Sequence, residues 1–341
     1  MIDTKALKQK ILDLAMRGKL VPQDPNDEPV DGLLARIKEE RLKLEKEKKI
    51  SKVEESDIYW SDDDNCYYEK NKKVDNLEKI PNHWKYIKLG FYSQKVTDYV
   101  ASGSFASLNQ NVKYYKYENY AILVKTQDFQ SNFKNNLTYT DKHGYEFLSN
   151  SNLFGGELIL SNIGSIGKVF IVPQLNKPMT LAPNSIMIRF FDNNHISFVR
   201  RFFESNFGFK TLMSISSGTT MKKFNKTDLK EILIPIPPLQ EQERIVTKID
   251  KLFALVDRIE KDQQELEELK KQVKDKVLEL AVTGKLVKQD PNDEPASVLL
   301  ERIKTEKEKL IKEGKIKREK ADLAPISDDD KNYYRNIKNS W

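Results

Sequence analysis

One stretch of this chain occurs twice. Gly18–Lys38 reads GKLVPQDPNDEPVDGLLARIK and Gly284–Lys304 reads GKLVKQDPNDEPASVLLERIK, identical at sixteen of 21 positions with an offset of 266. The match runs on without a gap: Ser61-Asp62-Asp63-Asp64 is answered by Ser327-Asp328-Asp329-Asp330, and Tyr67-Tyr68 by Tyr333-Tyr334. It also runs backwards, LKQKILDLAMRG before the first copy resembling VKDKVLELAVTG before the second. A duplication of this kind constrains the whole architecture, because two equivalent units must each find a partner surface.

The second copy grows out of a long helix, read from Leu239 to Leu280. Its apolar residues are Ile245, Ile249, Leu252, Val256, Ile259, Leu266, Leu269, Val273, Val277 and Leu280. Their spacing alternates mostly between four and three, which makes a seam for another helix. At one seam position stands Gln263, a polar group that costs stability and can fix register. The prolines of Pro235-Ile236-Pro237-Pro238 suit a helix start, and Gly284 suits its C-cap. Such a helix spans roughly 60 Å and sets a distance between whatever its ends carry.

The repeat unit thus comprises a helix end, a Pro/Asp-rich turn, a second charged helix (about Pro29–Lys49, and Pro295–Lys315 in the second copy) and the SDDD–YY element. The first copy leads into a different region at Ile80-Pro81-Asn82-His83-Trp84. The second reaches the similar Ile337-Lys338-Asn339-Ser340-Trp341 nine residues sooner, where a second globular domain is expected to begin. The expected organisation is a helical segment (1–79), a globular domain (80–237), a spacer helix (238–284) and a second helical segment (285–341). In the middle region Tyr, Phe, Asn and Ser rise. Strand-type runs appear at Tyr120–Val124, Glu157–Leu160, Lys168–Val172, Ser185–Phe191 and Ile232–Ile236, with one helix-type stretch at Ile196–Met213. The fold class is α+β: a mixed α/β domain plus long helices suited to a coiled coil.

Charge is unevenly placed. The whole chain carries +6, while Ile80–Pro235 has 18 Lys/Arg against 10 Asp/Glu, leaving the rest at −2. A basic globular region fits a polyanion, although lysine-rich usage alone gives the same balance. One cysteine, Cys66, rules out an internal disulfide and fits a reducing compartment. The N-terminus is amphipathic and lacks the apolar core of a signal peptide, and no run of about 18 apolar residues occurs. A soluble cytoplasmic protein is expected.

No catalytic constellation emerges. Gly164-Ser165-Ile166-Gly167-Lys168 lacks the leading glycine and trailing hydroxyl of a phosphate-binding P-loop. PIPPLQ lacks the acidic or amide residue and aromatic of an amino-methyltransferase motif. The three histidines are scattered, no metal-ligand spacing is present, and the SDDD runs read as turns or helix caps. Binding features are richer. Three loops combine small residues, hydroxyls, amides and lysine: Lys125, Thr126 and Gln127; Ser161, Asn162, Ser165 and Lys168; Ser217, Thr219, Thr220, Lys222 and Lys223. Such loops let backbone amides approach phosphates while side chains reach phosphates or base edges. Arg200, Arg201 and Lys210 on the helical stretch are further candidates. Ordinary turns and a solvated helix face are the plainer readings.

The string SGTTMKKFNKTDLKEILIPIPPLQEQERIVTKIDKLFALVD resembles the end of a target-recognition domain and the start of the central helix in specificity (S) subunits of type I restriction-modification systems. ILSNIGSIGKV and the I-P-x-x-W motif fit the same pattern, and the resemblance covers essentially the whole chain. It implies a non-catalytic DNA-binding subunit, without a cofactor of its own. In that family two recognition domains sit at opposite ends of two antiparallel helices, each reading half of a bipartite site. Methyltransferase (M) subunits use S-adenosylmethionine to methylate adenine, and restriction (R) subunits use ATP and Mg to translocate and cleave. With one recognition domain, the chain departs from the family as either a truncated form or a half-subunit. A half-subunit is expected to pair as a homodimer through Leu239–Leu280 and to read a palindromic site. The competing reading is a coiled-coil dimerisation scaffold whose α/β domain binds protein. A fused enzyme would need a methyltransferase or nuclease motif that this sequence lacks.

Overall fold

The structure is a computed structural model that describes residues 2–74 and 77–317. The second SDDD run, Tyr333-Tyr334 and Ile337–Trp341 lie outside the described residues. The chain forms two compact units, Met1–Glu265 and Leu266–Trp341.

In the first unit, helix α1 (Thr4–Met16) is capped by Asp3, whose carboxylate accepts from the Ala6 N–H, and it ends at Gly18 with φ +64°. Helix α2 (Val30–Lys46) starts directly after Pro29, which takes the N-cap position. Its buried residues Val30, Leu33, Leu34, Ile37 and Arg41 keep three- and four-residue spacing and so share one face. Strands β1 (Ile58–Ser61), β2 (Cys66–Glu69) and β3 (Lys72–Val74) make an antiparallel meander. The SDDD run is the turn between β1 and β2. There Ser61 Oγ donates to Asp64 at 2.6 Å, and a hydrogen bond from the Tyr68 hydroxyl to Asp64 pushes the phenol pKa up to about 12.

The middle region is layered. Its elements are β4 (Lys85–Lys88), α3 (Leu89–Tyr92), β5 (Ser93–Asp98), α4 (Phe105–Asn111), β6 (Ala121–Val124), β7 (Tyr139–Thr140), α5 (Lys142–Phe147), β8 (Asn152–Leu153), β9 (Leu158–Ser161), β10 (Val169–Ile171), β11 (Met179–Leu181) and β12 (Ser185–Phe190). Then come α6 (Ile196–Glu204), α7 (Asn206–Ser214), α8 (Lys226–Glu231) and β13 (Leu233–Ile236). One sheet, ordered β10-β9-β12-β5, is antiparallel throughout. A second, ordered β7-β6-β11-β8, contains one parallel pair, β6 with β11.

Side chains assign the layers. Along β9 and β12, Leu158, Leu160, Ile186 and Ile188 join a core with the helices, while Ile159 and Met187 join a second core with Ile122, Val124 and Met179. Leu123 faces a third core with Leu108 and Leu148. Both sheets are therefore covered on both faces, which is why β6, β9 and β12 read as largely apolar runs. β13 pairs with β4 alone, an edge position that tolerates Pro235 within the strand.

The stretch Ile196–Met213, expected as one helix, is two. Ser205 breaks it: its Oγ donates to the Phe202 carbonyl at 2.6 Å and accepts from the Gly208 N–H at 3.1 Å, capping α7. Gly208 is needed at this corner because a Cβ there would lie 2.1 Å from the Phe202 carbonyl oxygen.

The long helix, α9 (Leu239–Val282), extends two residues beyond the expected Leu280. Within the first unit α1 lies antiparallel to it. Lys8 pairs with Asp257 at 2.5 Å, and Ile2 contacts Gln263, so rising numbers in α1 meet falling numbers in α9. Ile245, Ile249 and Val256 of α9 are buried and join the main core.

The second unit repeats the local structure of the first. Gly284 has φ +68°, and helix α10 (Ala296–Lys312) follows Pro295 as α2 follows Pro29. An Arg302–Glu294 ion pair answers the Arg36–Glu28 pair of the first copy. Burial differs sharply. Leu33, Leu34 and Ile37 are nearly inaccessible, whereas their counterparts Leu299, Leu300 and Ile303 are 51%, 64% and 54% exposed.

Candidate nucleic-acid interface

Strand polarity gathers the candidate loops along one edge. β6 and β11 run parallel and end together, the Ala182 N–H donating to the Val124 carbonyl at 2.9 Å. β9 ends beside the start of β12, where Ser161 pairs with Ser185. Residues 182–184 carry the chain from β11 of one sheet to β12 of the other, and at Asn184, with φ +68°, the carbonyl accepts from the Asn162 N–H just after β9 at 3.4 Å. The loops after β6 and β9 thus leave the fold at a common margin.

A third loop is laid against the second. Residues 217–223 form a hairpin closed by two backbone hydrogen bonds between Ser217 and Lys223, of 2.8 and 2.9 Å. Gly218 turns it at φ +101°, where a Cβ would meet the Met221 carbonyl at 2.5 Å. The hairpin is tied to the 161–168 loop by the Phe224 N–H to the Asn162 carbonyl (3.2 Å) and by Asn162 Nδ2 to the Phe224 carbonyl (3.0 Å). Phe209 of α7 lies over Gly167 of the same loop, and Lys210, next in that helix, is exposed. Exposed along this margin are Ser165, Lys168, Ser217, Thr219, Thr220, Lys222 and Lys223.

Several of the remaining candidates are held in contacts within the fold. Ser161 is buried, and the Asn162 amide is used in holding the hairpin. Lys125 donates to Thr138 Oγ1 at 2.6 Å, and burial together with the nearby Lys116 charge lowers its pKa. Thr126 is half-buried and Gln127 exposed. Arg200 and Arg201 are both drawn into ion pairs with Glu204, at 2.8 and 2.6 Å. Arg201 also reaches Asp250 at 2.6 Å and lies over the Phe253 ring, so it joins α6 to α9 and stands apart from the loop margin. Reading the sequence by basic pairs overvalued these arginines, because their acidic partners are one turn along α6 and on a distant helix. It also passed over Lys116, which the bridge between Tyr115 and Tyr139 brings near Lys125.

The sequence profile of the type I restriction modification DNA specificity domain matches residues 81–271, more than half of the chain. The chain belongs to this family. It is 30% identical to the EcoAI specificity subunit of Escherichia coli over 96% of its own length and 59% of that protein's. The EcoEI specificity subunit of the same species is 29% identical, over 99% and 60% respectively. The chain therefore spans about three fifths of the length of these relatives. Among solved structures, the HsdS subunit from Thermoanaerobacter tengcongensis aligns with a TM-score of 0.42 at 16% identity, over 84% of this chain and 59% of that one. A structure from work on assembly of the type I system gives 0.46 and 16%, over 83% and 58%. Among the described residues no helix is long and apolar enough to cross a membrane.

Proposed function

We propose that this chain is the sequence-reading subunit of a type I restriction-modification complex, and that the loop margin of residues 80–237 reads one half of a bipartite duplex site. The reading rests above all on the convergence of three loops, where Lys168, Lys222 and Lys223 are exposed beside hydroxyls on a domain of net charge +8. Lysines and hydroxyls of this kind hold phosphates and set register on a duplex. In this proposal the chain carries no cofactor. Adenine methylation with S-adenosylmethionine and ATP- and Mg-dependent cleavage belong to methyltransferase and restriction subunits that assemble on it.

The deciding experiment is duplex binding by fluorescence anisotropy across a salt series. Wild-type affinity should fall steeply with salt, and Lys222→Ala with Lys223→Ala should flatten the log–log slope by about 0.9 per lysine. Binding that is absent, or insensitive to salt, would overturn the proposal.

A second reading head has to come from somewhere if the target is bipartite. Pairing of two copies through Leu239–Leu280 is one source, and it is favoured by the exposed second half of the seam, Leu266, Leu269 and Val273. Light scattering tests it: a particle of twice 39.7 kDa supports the homodimer and a palindromic site, while a particle of 39.7 kDa at all concentrations removes it.

A further inference from the structure

The loop that follows β6 differs in chemistry from its two neighbours. Within residues 127–136 the exposed side chains are Gln127, Gln130, Asn132, Lys134, Asn135 and Asn136: five amides and one cation. Its single carboxylate, Asp128, is turned inward and 1% exposed, accepting from the Lys125 N–H at 2.8 Å. By contrast the 217–223 hairpin exposes hydroxyls and two lysines.

This loop is built rather than slack. Phe129 stacks on Phe170 of β10 with centroids 4.4 Å apart, and Phe133 meets Phe129 edge-on at 5.0 Å. The Phe133 N–H donates to the Asp128 carbonyl at 3.0 Å, and Ser131 Oγ donates to the same carbonyl at 3.0 Å. Asn132, Phe133 and Asn136 have φ of 48°, 57° and 56°, a left-handed backbone that costs about 1 kcal/mol or more for a bulky residue. The aromatic anchors hold that conformation, so the apolar side chains root the loop and the amides face outward together.

We propose that residues 127–136 are the base-reading loop of the recognition domain, and that Gln130, Asn132 and Asn135 contact adenines of the half-site. The assignment rests on the DNA-reading function proposed above. A primary amide offers one donor and one acceptor side by side, the complement of adenine N7 and N6 in the major groove. A lysine-bearing hairpin bound to phosphates positions the duplex but carries no sequence information. The margin thus divides its work: residues 217–223 and Lys168 hold the backbone, and the amide loop discriminates.

The test is selection of bound duplexes from a randomised pool by the full chain, followed by affinity measurement on the selected and on a scrambled duplex. Gln130→Ala, Asn132→Gly (which keeps the positive φ) and Asn135→Ala are expected to relax the motif at one or two adenine positions. Each should weaken the selected duplex about tenfold or more while leaving the scrambled duplex and the salt slope unchanged. Gln130→Glu, acceptor only, is expected to shift preference at its position from adenine towards cytosine, whose N4 amine donates. Lys222→Ala should weaken both duplexes alike and keep the motif. A motif and selected-duplex affinity that stay within twofold of wild type in all three amide variants would overturn the assignment while leaving DNA reading intact. A wild-type chain that selects no sequence would overturn the DNA-reading function itself, and the loop assignment with it.

Discussion

Gln263 binds both backbone polar groups of Ile2: its Oε1 accepts from the Ile2 N–H at 2.6 Å, and its Nε2 donates to the Ile2 carbonyl at 3.2 Å. The one polar interruption of the α9 seam therefore meets the residue just before the α1 cap Asp3, whose backbone has no helical partner there. A side chain that satisfies two such groups fixes how far α1 slides along α9. Gln263→Leu preserves bulk and removes both hydrogen bonds. Stability should fall by about 1 kcal/mol, and the first-turn amides of α1 should exchange faster with solvent. Unchanged exchange at Leu7 would show that packing alone sets the register.

The duplication supplies an internal control for burial. Leu33 and Leu299 occupy equivalent positions in the two copies and are 3% and 51% exposed. Leu33→Ala should destabilise the first unit by about 2–5 kcal/mol, the usual range for a buried leucine. Leu299→Ala should stay within about 0.5 kcal/mol in the chain alone. Chemical denaturation of the two variants side by side gives the comparison, and equal losses would mean that the second copy is covered in solution.

Much of this architecture is legible in the amino-acid sequence. The helices announce themselves through three-and-four spacing, and Gly18 and Gly284 mark equivalent stops because only a left-handed residue closes those ends easily. Strands β6, β9, β12 and β13 were legible as apolar runs because both of their faces are buried, and β10 because its apolar residues pack on the cores from the sheet edge. Strands β7 and β8 were not, since two residues carry no period and exist only because β6 and β11 offer free edges. The loop candidates divided in the same way. Glycines and lysines marked the 161–168 and 217–223 loops. The amide loop looked like ordinary polar surface, because nothing local says that Phe129 will find Phe170. Arg201 misled for the converse reason: its partner Asp250 lies on another helix.

The corner between α6 and α7 tests how far sterics alone override periodicity. Gly208→Ala would place a methyl group against the Phe202 carbonyl, a backbone atom that cannot rotate away. The expected loss is about 1–3 kcal/mol, read as a lower urea midpoint with unchanged slope. Ser205→Ala removes the cap and should cost about 1 kcal/mol. A Gly208→Ala chain as stable as wild type would mean that the two helices can merge into the single one their periodicity suggests.

Asp27 and Arg244 link the turn of the first repeat to the start of α9 through two hydrogen bonds of 2.7 and 2.5 Å. The Asp27 carboxyl is held below its ordinary value of 3.8 chiefly by the Arg244 hydrogen bond, against the opposing effect of burial, with the charges of Arg244 and His83 adding to the lowering. A carboxylate whose folded pKa is depressed contributes stability above its unfolded value and loses it as pH falls through the folded one. Asp27→Asn should therefore cost about 1–2 kcal/mol at pH 7, and the gap from wild type should shrink as pH is taken below 3.8. His83, whose charge also bears on Asp27, contacts the buried Glu241 at 2.7 Å and is present in both proteins. Urea denaturation at pH 7 and at pH 3 measures the two gaps. Asp293→Asn, at the equivalent position of the second copy, is the matched control, since Arg244 is engaged by Asp27. An Asp27→Asn gap that is the same at both pH values would place the loss in packing rather than in the charge of the pair.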